Sequence, residues 1–298
     1  MSIGPLWDSW YVDEELGEGR SGKVYKVHKT CYAAVKIIHV PQSEAEIEIA
    51  RLEMNEHAMR TYFMMLVSDI VQAIDIMNAF KGCPNVVAIE DHKVIQRDAL
   101  HWDILIRMEL LKPLHEYMAK HVLTNEDVVR MGLDISHALE VCAEKRIIHG
   151  DIKPDNIFVS DEGSFKLGGF DSACQIHHDS EKTLKNARSY IAPEVFNHDG
   201  NYGPTIDLYS LGIVMYRFLN INRLPFMPSF PEPLTFQNRE EALQRRMRGD
   251  ELPDIPDIDP ALNAFIIKAC AYRPEERYQT AGEFRAELER VRDILKGE

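Results

Sequence analysis

The 298-residue chain is 45% hydrophobic and 28% charged, the balance of a globular protein long enough to bury a large core. Its 34 basic and 48 acidic side chains leave a net charge of −14, which argues against nucleic acid or an anionic membrane as the main partner. The cysteines Cys31, Cys83, Cys142, Cys174 and Cys270 lack the paired spacing of a zinc or dithiol site, and neither a signal peptide nor a membrane-length apolar run is visible, so a cytoplasmic protein is expected.

Three alternating segments, 10–16, 24–28 and 32–39, are predicted strands. From Ser43 to Phe80 the pattern predicts a helix. Glu44, Glu46 and Glu48 crowd its start, Ile70, Ile74 and Met77 recur at helical spacing, and Lys81-Gly82-Cys83-Pro84 stops it. Residues 86–95 and 104–110 read as two more strands. Past Lys112-Pro113, Thr124-Asn125-Glu126-Asp127 offers a capped start to a helix reaching about Lys145. A short strand pair at 157–159 and 165–167 follows, then helices with Pro-rich loops near 223–234 and 252–260. A strand-rich third ahead of a helix-rich remainder predicts an α+β layout of two lobes, N-terminal over about 10–110 and C-terminal over about 111–295, within one domain spanning 1–298.

Gly17-Glu18-Gly19-Arg20-Ser21-Gly22-Lys23-Val24 fits G-x-G-x-x-G-x-V between two predicted strands. Glycines let backbone N–H groups approach phosphate oxygens, although a hairpin with flexible turns matches the same pattern. Ala33-Ala34-Val35-Lys36 follows on the next strand; alone, such a lysine is usually just solvated. His149-Gly150-Asp151-Ile152-Lys153-Pro154-Asp155-Asn156 then places a carboxylate, a lysine and an amide in fixed order before a strand. A polar turn does not account for four matched positions.

These motifs resemble those of the protein kinase superfamily, closest to bacterial Ser/Thr kinases, from roughly Trp10 to Leu295. The resemblance implies a bilobal protein-kinase fold with a β-rich N-lobe and a helical C-lobe, and ATP as ligand. It implies that Gly17, Gly19, Gly22 and Lys36 face phosphates, and that Val24, Ala34 and Phe158 enclose adenine. Met108 would stand as gatekeeper, with Glu109 to Leu111 as the hinge. Asp151 would receive a substrate hydroxyl proton, Lys153 marks Ser/Thr rather than Tyr specificity, and Asn156 would hold metal. Ala192-Pro193-Glu194, Asp207 and Arg277 match structural positions of the same family, and Met77, Ile89, His149 and Phe170 its hydrophobic column. A protein substrate or partner is implied.

Four departures fall on the chemistry. The Asp-Phe-Gly metal triplet reads Gly169-Phe170-Asp171, so the expected ligand is missing; a flexible Gly168-Gly169 pair would let Asp171 swing inward as a substitute, though a solvated loop Asp is the commoner state. The helix glutamate that pairs with Lys36 is expected at Ala73, with Asp69 as a weaker stand-in. Gly150 replaces the arginine that grips a loop phosphate. In the stretch Lys185 to Tyr190, Ala187 lacks the family's hydroxyl, while Ser189 keeps one where a Thr would contact the catalytic Asp and Lys. The leading expectation is a pseudokinase that binds ATP at a weakened magnesium site and transfers phosphoryl weakly or not at all. Two alternatives stand beside it: an active atypical Ser/Thr kinase using Asp171 or Asp155 for metal, and a nucleotide-free scaffold docking through 43–65, where Met59, Tyr62, Phe63, Met64 and Met65 cluster.

Overall fold

The structure, a computed structural model, describes residues 9–19, 22–170, 173–175, 189–197 and 202–297. The chain divides into two compact units: the chain up to Cys83 with Val87–Leu111, and Pro84–Val86 with the chain from Lys112 onward.

The first unit is built on an antiparallel sheet of β1 (Tyr11–Gly19), β2 (Gly22–His28) and β3 (Tyr32–Val40), followed by helices α1 (Glu44–Glu53) and α2 (Glu56–Asn78), then β4 (Ile89–Gln96) and β5 (Trp102–Met108). The strand order is β1-β2-β3-β5-β4. β3 lies inside the sheet and both of its faces are covered, which is why it reads as a nearly continuous apolar run. Val35 and Ile37 pack with Trp10, Val27 and Leu105 on one side. Ile38 and Val40 pack with Phe63 and Ile74 of α2 and with Ile104 on the other.

The helix expected over 43–80 is broken. Met54 is extended (φ −132°, ψ 146°), and the Asn55 side chain caps α2 by accepting from the Ala58 N–H at 2.9 Å. Asparagine's short amide satisfies an orphan N–H of a new helix better than it continues an old one. The strand expected from 86 begins only at Ile89; Val86 instead bridges to Leu167 of the second unit. That expected over 104–110 runs from Trp102 to Met108.

The second unit contains β6 (Lys112–Pro113), α3 (Leu114–Met118), α4 (Asn125–Glu144), β7 (Ile147–Ile148), β8 (Ile157–Val159), β9 (Phe165–Leu167), β10 (Cys174–Gln175), α5 (Pro193–Phe196), α6 (Thr205–Leu219), α7 (Phe236–Met247), α8 (Pro260–Ala269) and α9 (Ala281–Lys296). α4 starts with a reciprocal capping box between Thr124 and Asp127. It packs against α6 and α9. α6 is buried from Ile206 through Tyr216, as a central helix must be. The small antiparallel sheet β6-β8-β9 and the β7–β10 pair flank the 149–156 motif: His149 follows β7, and Asn156 precedes β8. A sheet-based N-terminal region and a helical C-terminal region make the fold α+β.

Candidate functional site

In the first unit the three loop glycines serve different physical needs. Gly22 has φ +146°, and a Cβ there would lie 2.1 Å from the Ile37 carbonyl oxygen, so its glycine is required by the approach of β3. At Gly17 a Cβ would meet nothing within 4 Å, and at Gly19 only the Gly22 oxygen at 3.8 Å. Arg20 and Ser21 lie outside the described residues. Lys36 is half-buried on β3, opposite Val24 of β2 and Ile106 of β5. Ala34 is buried opposite Met108, which packs against the core shared with α2. Glu109 is clamped to Ala88: its N–H donates to the Ala88 oxygen at 3.1 Å, and its Oε1 accepts from the Ala88 N–H at 2.6 Å. Leu111 is half-buried between β5 and β6.

Ala73 sits on the half-buried face of α2 with Ile70 and Met77. Asp69 is exposed and its carboxylate makes no ion pair or hydrogen bond among the described residues, so it is not paired with Lys36. Of the apolar cluster near 59–65, Met59 and Phe63 are core residues. Tyr62, Met64 and Met65 are exposed, as are Ile49 and Leu52 of α1.

In the second unit a buried carboxylate organises the motif around Asp151. Asp207, on α6, accepts from the backbone N–H groups of His149 and Gly150, both at 2.8 Å. Burial pushes its carboxyl upward, against the pull of His149 and of those two hydrogen bonds. Gly150 holds φ +72°, a left-handed conformation that an arginine would adopt only with strain. His149 is fully buried; its Nε2–H donates to the Gly168 oxygen at 2.9 Å, so Nδ1 is the acceptor for the Asp151 N–H at 3.2 Å. Its ring meets Phe170 edge-on at 4.6 Å.

Asp151 Oδ2 accepts from Lys153 Nζ at 2.6 Å and from Asn156 Nδ2 at 3.0 Å, and the same amide donates to the Asp151 carbonyl at 2.7 Å. Asp155 is exposed, and Phe158 is half-buried on β8. Gly169 has φ +74°. The Gly168 N–H donates to the Asn156 oxygen at 2.9 Å while its carbonyl accepts from His149. Asp171, Asn186 and Ala187 lie outside the described residues. Among those described, no group of three His, Cys, Asp or Glu side chains could hold a metal ion.

Downstream, Arg277 grips Glu194 with two bonds of 2.7 and 2.8 Å and donates to the Ala271 and Tyr272 carbonyls, all within the core. The Ser189 hydroxyl is exposed and bonds neither Asp151 nor Lys153, contrary to expectation. Its carbonyl accepts from buried Arg246 at 2.6 Å; the Tyr190 carbonyl accepts from the Ser210 hydroxyl at 2.9 Å, and its phenol bonds Arg217. Sequence reading missed these anchors because isolated arginines on helices carry no spacing signature. It also missed Asn85, which donates to the Phe165 carbonyl at 3.0 Å and accepts from His137 at 2.8 Å, and Asp134, which accepts from the Phe165 N–H at 2.8 Å. Together they hold β9, the strand leading into Gly168.

The family described as "Protein kinase domain" matches residues 10–286. The chain belongs to the protein kinase family. It is 30% identical over 217 residues to a probable serine/threonine-protein kinase of Clostridium perfringens, a match covering 70% of this chain and 30% of that protein. It is 33% identical over 171 residues to the serine/threonine-protein kinase PknB of Mycobacterium leprae, covering 56% of this chain and 26% of PknB. A probable serine/threonine-protein kinase of Streptomyces coelicolor is 30% identical over 177 residues, 57% of this chain and 25% of its own length. The matches thus span less than a third of each relative, and family membership here means the Ser/Thr-kinase-like domain. Among the described residues no helix is long and apolar enough to cross a membrane.

Proposed function

We propose that this kinase-family chain binds ATP but transfers phosphoryl weakly or not at all, and that it acts through a protein partner or substrate. The observation that carries this reading is Gly169. Protein kinases as a class place a carboxylate there to hold magnesium on the nucleotide phosphates. Here the position offers no donor, and the Asn156 amide lies against it. Magnesium on a nucleotide takes one or two protein carboxylates beside the phosphates, and among the described residues a neutral amide oxygen next to a carboxylate already engaged by Lys153 fits that need poorly. Loss of one group aimed at transition-state charge costs on the order of 10²–10³ in rate, and Ala73 removes a second support.

Nucleotide binding depends less on these positions. In the first unit the open space over Gly17 and Gly19, Lys36, and the surface from Val24 and Ala34 to Met108, Glu109 and Leu111 supports a phosphate and adenine site. In the second, Phe158 is the adenine-facing candidate, with Asp151 and Lys153 as the residual catalytic pair. The test is a thermal-shift series with ATP, with and without magnesium, beside incubation with ATP–magnesium and generic protein substrates. Stabilisation by ATP that magnesium does not increase, with no phosphotransfer, is expected. Robust turnover that Asp151→Asn abolishes would sink the reading and favour an active kinase drawing metal ligands from Asp155 or Asp171.

A second reading is favoured by the exposed apolar residues of α1 and α2. Leu52 is 86% exposed and Met65 62%, on helices whose exposed charges Glu44, Glu48, Glu53 and Glu56 outnumber Arg51 and Arg60. That surface suits a basic amphipathic segment of a partner protein. A Leu/Lys amphipathic peptide should bind in a salt-sensitive way that Leu52→Ser weakens, and a Leu/Glu peptide should not. Equal binding of both peptides would remove this reading.

A further inference from the structure

We infer that the side chain of Asn156 plugs the space a side chain at position 169 would need, so that Gly169 and Asn156 form one interlocked unit. This rests on the reading of a lost metal site and says what replaced it. A Cβ built on Gly169 would lie 2.3 Å from Cγ and Oδ1 of Asn156 and 2.6 Å from its Nδ2. Side-chain carbons do not approach other atoms so closely, so any residue larger than glycine must move something.

The backbone is a poor candidate for that movement. Gly168 is held at both its N–H and its carbonyl, and the fully buried Phe170 is packed edge-on against His149. Gly169 itself stands at φ +74°, where a Cβ adds strain of its own. What remains is the Asn156 side chain, and it is held by two hydrogen bonds to Asp151, at 2.7 and 3.0 Å. Its backbone is tied as well, the N–H to the Lys153 oxygen and the carbonyl to Gly168. A side chain at 169 therefore displaces the amide that positions Asp151. Asn156 serves here as a positioning residue, and restoring the family's carboxylate at 169 alone does not restore a metal site.

The bland alternative is that Asn156 has merely drifted into empty space and swings away freely. A double-mutant cycle read by thermal unfolding without nucleotide separates the two. Gly169→Ala should lower Tm by about 6–10 °C in the native background, but by only about 2–4 °C beside Asn156→Ala, which removes the three atoms nearest the new Cβ and leaves the backbone strain. Equal shifts in both backgrounds would overturn the interlock; the same cycle read by urea unfolding at low temperature serves if the alanine variant is too unstable for a thermal scan. The metal arm uses ATP-induced thermal shifts with and without millimolar magnesium. Gly169→Asp alone should gain no magnesium-dependent increment, because the Asn156 amide obstructs the new carboxylate. A full gain from Gly169→Asp alone would also overturn it. Coupling in the cycle with no response to ATP in any variant would uphold the interlock and count against nucleotide binding instead.

Discussion

Two side-chain pairs in the second unit tie distant stretches of chain together on opposite principles. Arg277 and Glu194, 83 residues apart, meet as opposite charges with matched fork geometry, and the remaining guanidinium donors are taken up by backbone carbonyls. Asn156 and Gly169 meet through an absence, the amide of one filling the volume that the other leaves. The first pair maintains the fold and keeps the family's residues. The second stands in the segment that resembles the family's metal triplet, with a glycine where the resemblance implies a carboxylate.

The largest effect expected from this contrast is at the charge pair. Glu194→Gln or Arg277→Met leaves a buried partner uncompensated and should cost about 3–5 kcal/mol in urea unfolding. A loss under about 1 kcal/mol would break the comparison by showing the pair to be dispensable. Asp207→Ala, which orphans the N–H groups of His149 and Gly150, should cost about 2–4 kcal/mol by the same measurement and also destabilise the loop that carries Asp151. Hydrogen exchange at His149 and Gly150 would then rise well above that at α9, and uniform exchange would count against a local role.

Gly163 sharpens the second pair. It has φ +83° but open space around the position of a Cβ, so Gly163→Ala should cost only about 1 kcal/mol of backbone strain. Gly169→Ala should cost visibly more, the excess being the overlap with Asn156. The smallest effect lies in the first unit. The carboxylates of Asp98 and Glu44 beside His101 raise its pKa above the ordinary imidazole value. A raised folded pKa means that its contribution is fully present below the unfolded value of about 6.5 and is lost as pH rises through the folded one. For so exposed a pair the contribution should stay below about 1 kcal/mol. Denaturation of His101→Gln should therefore differ from the native chain at pH 5.5 and converge with it by pH 8.5.

Much of the architecture was legible because its signals are local. Alternation along β1 and β2, the apolar run of β3, the Thr124 cap of α4 and the strand pair around 157–167 each depend on neighbours in sequence. The break at Asn55 was not legible: the apolar face runs on across it, and only a choice between capping and continuing decides it. The same limit applied at the candidate site. Lys36, Asp151, Lys153 and Asn156 could be named from contiguous motifs, but their order says nothing about which atoms overlap. Asp69 has the right chemistry for an ion pair, yet it lies on the exposed face of α2.

By itself, then, the sequence determined the family, the passage from a strand-rich to a helix-rich region, and the absence of a carboxylate at 169 and of a glutamate at 73. Those follow from residue identity and short-range spacing, which no packing can alter. Only the tertiary structure decided that Gly22 is demanded by Ile37, that Asn85, His137 and Asp134 hold β9, and that Asn156 occupies the space beside Gly169. Those depend on distances between atoms brought together by chain reversal, and in a close-packed interior such distances are set by all the neighbours at once.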